Sequence, residues 1–131
     1  MTALEAYPGI VLLASNLKGN IDSAFLRRIR HVVEFARPDA AARAEIWRRT
    51  LTGLFGATTC AALASDITRL AQLEASGAQI KTSALSSVFA ARRARQQPNL
   101  TLLAQMLSRE LAKEGAGLST RDLAALTEGV P

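Results

Sequence analysis

Two short apolar runs, separated by a basic helical segment, constrain this chain more than any other feature. Residues 9–35 read GIVLLASNLKGNIDSAFLRRIRHVVEF. The first run, Ile10-Val11-Leu12-Leu13-Ala14, is unbroken and stops at Ser15-Asn16. A run of that length between turn residues predicts a strand buried on both faces. A polar loop follows, and Ile21-Asp22-Ser23-Ala24-Phe25-Leu26 predicts a short helix that leads into Arg27, Arg28 and Arg30. Asp22 or Asn20 can cap it. A second β-type run, His31-Val32-Val33-Glu34-Phe35, gives a strand over 30–35. Polar residues at the C-terminal ends of buried strands sit where α/β sheets bind ligands, which singles out Asn16.

Two strands do not make a sheet, and the chain after Phe55 offers no further strand. Arg37-Pro38-Asp39 forms a boundary, and Pro38 or Asp39 starts an amphipathic helix over 40–54 with Ile46, Trp47 and Leu51 on one face. A helix over 61–74 carries Leu63, Ile67, Leu70 and Leu73 at helical spacing. Ser76-Gly77 breaks it. The next helix, 79–96, has Ile80, Leu85, Val88 and Phe89 as its apolar set. Pro98 ends that one, Asn99 caps a helix over 100–114, and Ser119-Thr120 caps a last one over 121–126. The predicted fold class is an α/β remnant of two core strands followed by an all-α helical bundle, mostly α overall. Its division falls at 1–54 and 55–131.

Composition narrows the function classes. Length 131 suits one domain or two small units, and net charge +5 comes mostly from Arg. Arg is favoured where bidentate contact with phosphate or carboxylate is needed, though codon usage gives the same excess. One Cys, Cys60, rules out an internal disulfide, and one Cys with one His makes no convincing zinc site. No apolar stretch reaches transmembrane length, and MTALEAYPGI lacks the pattern of a signal peptide. The expectation is a soluble, cytoplasmic protein with no membrane partner.

The segment IVLLASNLKGNIDSAFLRRIRHVVEFARPDAAARAEIW resembles the C-terminal half of an AAA+ ATPase core. The pattern there is an apolar strand ending in Thr/Ser-Asn, a Leu/Ile-Asp-x-Ala-Leu/Phe helix, arginines, a strand and a Pro-Asp-x-x-x-Arg helix. All of these occur here in order. The helical remainder resembles that family's lid, with GAQIKTSALSSVFAAR similar to its Gly-Ala helix near the nucleotide. The tail LTLLAQMLSRELAKEGAGLS resembles that of AAA ATPases encoded with contractile, phage-tail-like injection systems.

The resemblance implies roles for individual residues. Asn16 matches the sensor position, where a neutral amide orients the attacking water or touches the γ-phosphate of ATP. The plainer alternative is a strand end that caps the next turn. Arg27 and Arg30 match the arginines that reach the neighbouring subunit's nucleotide, with Arg27 the stronger match because Arg28-Ile29 replaces the usual Pro-Gly. Their plainer alternative is a solvated basic turn, or ion pairs to Glu34 and Asp22. Gly77 and Ala78 match the lid position that packs close to ribose and base, with Lys81 one turn on. A helix-start glycine and a surface lysine are the alternatives there. Partners implied are a homo-oligomeric ring, a hexamer, and a protein substrate or tail-assembly component.

The departures bear on activity. The lysines are Lys18, Lys81 and Lys113, and none follows a Gly-x-x-x-x-Gly pattern. No apolar strand ends in Asp-Glu to hold Mg²⁺. The resemblance therefore implies a C-terminal fragment that carries the sensing and trans-acting half of an ATPase. Two other classes compete with it. A non-catalytic helical adaptor needs no nucleotide. A nucleic-acid-binding module is motivated by Arg92-Arg93-Arg95, but those arginines sit at a helix C-terminus, where the dipole favours cations, and no aromatic platform accompanies them. The chain alone is expected to show no ATP hydrolysis and only weak nucleotide binding. Robust Mg²⁺-dependent phosphate release from it in a malachite-green assay would refute the fragment expectation.

Overall fold

The computed structural model describes residues 6–16 and 18–128. The chain divides between Phe35 and Ala36 into two compact units.

In the first unit the two expected strands are absent. Neither 10–14 nor 30–35 forms a ladder, and the described residues contain no strand. The correction has a simple physical cause. A strand is completed by hydrogen bonds to a neighbouring strand, and an isolated two-stranded element is marginal even when its partners face each other. The apolar side chains stay in solvent: Ile10, Leu12 and Phe35 are each more than 90 % exposed. What does form is local. A 3₁₀ turn spans Lys18–Asn20, and helix α1 spans Ser23–Leu26. Asp22, rather than Asn20, caps α1 by accepting from the Ala24 amide at 3.0 Å.

The second unit is helical throughout its regular structure, which agrees with the mostly-α expectation. Helix α2 spans Ala40–Phe55, and the Asp39 carboxylate accepts from the Ala42 amide at 2.8 Å. Gly56, at φ 91°, ends α2 and opens α3, Ala57–Ala62. That left-handed backbone suits glycine. Helix α4 is Ala64–Leu70. The single helix expected over 61–74 is thus a pair broken at Leu63, which leaves helical geometry at φ −93°, ψ 9°. Leu63, Ile67 and Leu70 still turn inward together.

Helix α5 spans Gly77–Ala94 and packs against both α2 and α6, Leu100–Ala112. Asn99 caps α6 through the Leu102 amide at 2.9 Å. Helix α7, Thr120–Thr127, begins in a capping box between Ser119 and Asp122. The Ser119 hydroxyl and amide hold the Asp122 carboxyl below its ordinary range. The core joins Trp47 and Leu51 of α2, Ile80 and Ala84 of α5, and Leu103, Leu107 and Leu111 of α6.

Of the apolar set expected for α5, Ile80 turns inward but Leu85 and Phe89 do not. Ile80, Ala84, Ser87 and Ala91 recur at helical spacing and are buried together with Ser83, whereas Leu85 is 50 % and Phe89 66 % exposed. Small side chains let α5 lie close to two neighbours at once. Burial of the two serines costs little because each hydroxyl donates within the helix, Ser83 to Gln79 O and Ser87 to Ala84 O, both at 2.6 Å. Cutting Leu103 to alanine, at a fully buried site, is expected to lower stability by about 2–5 kcal/mol. The same cut at Leu12, in solvent, should change it by less than about 0.5 kcal/mol. Urea unfolding of the two variants measures both.

Candidate functional site

The residues with candidate roles fall into two groups, one in each unit. In the first unit Asn16 is exposed just after the apolar run. Helix α1 sets the arginines. Its last turn closes when the Arg27 amide donates to Ser23 O at 3.2 Å and the Arg28 amide donates to Phe25 O at 3.0 Å. Arg27 therefore stands at the C-cap, and Arg27 and Arg30 both carry exposed side chains. An exposed guanidinium fixed at the base by a capped helical turn can reach a phosphate on another molecule, because its stem is anchored while its fork is accessible.

In the second unit the structure puts Gly77, Ala78 and Lys81 on the first turns of α5. Ser76 caps that helix: its hydroxyl accepts from the Gln79 amide at 3.2 Å, and the Gln79 side chain accepts from the Ser76 amide at 2.8 Å. The Gln79 side-chain Nε2 also donates to Glu114 Oε2 at 3.2 Å. Ser76-Gly77 is thus a helix start with a reciprocal cap, not only a break. A Cβ added at Gly77 would lie 3.6 Å from Ile46 Cδ1, an ordinary contact. The packing of this unit therefore tolerates alanine at position 77. Ala78 and Lys81 are exposed.

Arg43 is the residue whose part the sequence did not reveal. It appears in the Pro-Asp-x-x-x-Arg pattern, but nothing in that spacing tells what it holds. Its Nε donates to Ala71 O and its Nη1 to Pro38 O, each at 2.7 Å. One half-buried guanidinium so joins the entry to α2 with the carbonyl end of α4, where the helix dipole favours a cation.

Among the described residues no three His, Cys, Asp or Glu side chains come together to hold a metal ion. No helix of the described residues is long and apolar enough to cross a membrane. Comparison of the chain with family models, with curated proteins and with solved structures finds no match.

Proposed function

We propose that this chain supplies the sensing and trans-acting half of an AAA+ ATPase, with the chain from residue 55 onward serving as the helical lid over the nucleotide. The observation that carries the reading is the order Asn16, Asp22, Arg27, Pro38-Asp39, Arg43 and Ser76-Gly77-Ala78, with N-caps at Asp22, Asp39 and Ser76 where the pattern starts its helices.

In this reading Asn16 orients the water that attacks the γ-phosphate. Arg27 enters the neighbouring subunit's site and offsets the negative charge that builds on the transferring phosphoryl group. Such an arginine contributes roughly 10³–10⁵ in rate. Arg30 adds a second cation beside it. Gly77 and Ala78 lie against ribose and base, and Lys81 faces outward one turn on. Mg²⁺ supplies charge neutralisation at the β- and γ-phosphates when bound. No three acids are gathered among the described residues, and in this reading other residues of the enzyme would hold the ion and cradle the phosphates. The assembled enzyme is a homo-oligomeric ring, a hexamer, working in the cytoplasm on a protein substrate of a contractile, tail-like injection system.

In the assembly that contains a phosphate loop, Arg27→Ala is expected to leave ATP binding within about twofold and to cut hydrolysis by about 10²-fold or more. Mixing that variant with one lacking the phosphate-loop lysine should restore part of the rate, because some interfaces then pair an intact arginine with an intact site. Arg30→Ala should be equally severe or milder. Loss of activity through unfolding alone, or mixing without rescue, removes the trans-acting role. Full activity of Arg27→Ala favours the adaptor instead.

A further inference from the structure

The outward side of α5 carries large apolar residues where a surface helix ordinarily carries polar ones. Phe89 is 66 % exposed, and Leu85, one turn earlier, is 50 % exposed. Phe89 opens into a groove of about 780 Å³ between α5 and α6, with Ala90 and Met106 on its floor. Gln79 at the start of α5 bonds to Glu114 beyond the end of α6, so the two helices run antiparallel. Cations therefore mark both ends of the groove: Arg93 at one, Arg109 and Lys113 at the other. Lys113 is paired with Glu110 at 2.6 Å. Arg93 and Arg109 make no ion pair among the described residues.

We infer that this groove docks a short acidic segment of a partner protein that brings two large apolar side chains to Phe89 and Met106. The inference stands apart from the ATPase reading. Charge selects the occupant. Two unpaired guanidinium groups flank an apolar floor, which matches a segment with carboxylates on either side of apolar anchors. The span from Ser86 to Arg93 is about 10 Å of helix, enough for about two turns of a bound helix laid along it. Phe89 supplies the accessible apolar surface, and Met106, largely buried beneath, backs it with an adaptable thioether. A second copy of this chain is a poor occupant, since its net charge of +5 would bring further cations to a cationic groove. A nucleic acid is also a poor match, because one phenyl ring among aliphatic side chains gives no stacking series for successive bases.

The test selects phage-displayed random peptides of about 12 residues, long enough for three helical turns, on the intact chain. Synthetic copies of the enriched peptides are then measured by fluorescence polarisation. Enriched peptides should pair two large apolar residues, three or four apart, with neighbouring Asp or Glu. Phe89→Ser, Leu85→Ser and Arg109→Glu should each keep the helical circular dichroism. Phe89→Ser and Arg109→Glu should each weaken binding about tenfold or more. Replacing the peptide's acids by Lys should abolish binding to the unmodified chain and restore it to an Arg93→Glu, Arg109→Glu double variant. Failure to enrich any sequence, enrichment of peptides without acids, or affinity unmoved by Phe89→Ser overturns the proposal. So does tighter binding of a single-stranded RNA oligonucleotide that depends on Arg109 but not on Phe89.

Discussion

The helical unit depends on how closely α5 can approach its neighbours. Ile80, Ala84, Ser87 and Ala91 make a narrow inward stripe, and Trp47, Leu51, Leu103 and Leu107 fill the space on either side of it. Small residues at the centre let large ones on two flanking helices reach across, so that dispersion contacts are gained from both sides at native density. Larger residues in place of Ala84 or Ser87 would force α2 and α6 apart, and overpacking of that kind is itself destabilising. Arg43 tightens the same arrangement from outside the apolar core, tying the loop before α2 to the end of α4 by charge-assisted hydrogen bonds.

The first unit shows what local interactions achieve without a core. The Asp22 cap and five backbone bonds between Asp22 and Ile29 fix a single helical turn and with it the base of Arg27. Ile21, Phe25, Leu26 and Ile29 around that turn are only partly covered, and the flanking runs at 10–14 and 32–35 stay exposed. A helical turn can therefore be fixed by local bonds in a segment whose flanking apolar runs remain exposed.

The difference between local and non-local physics decides how much was legible in the sequence. Helix starts were readable because a cap is a contact between residues two or three apart: Asp39, Asn99 and Ser119 each accept from the amide their position implied. The strands at 10–14 and 30–35 were not, because apolar runs state a need for a sheet without saying whether one is at hand. The face of α5 was misread for another reason. Size ranks Leu85 and Phe89 as core residues, but the space between two helices selected alanine and serine instead. Of the candidate site, the positions of Gly77 and Arg27 at a helix start and a helix end followed from local pattern. The bonds of Arg43 to Ala71 and the cationic ends of the α5–α6 groove arise only when distant segments meet.

The burial of Trp47 has a spectroscopic consequence. It is the only tryptophan in the chain and has no accessible surface, with its indole nitrogen unpartnered among the described residues. The only tyrosine, Tyr7, lies in the other unit and is 59 % exposed. An indole in so apolar a setting emits towards the blue and shifts red when water reaches it. Excitation selective for tryptophan thus reads the integrity of the helical unit alone, and the phenol band reads the first unit. One unlabelled sample therefore carries a separate optical label in each of its two parts.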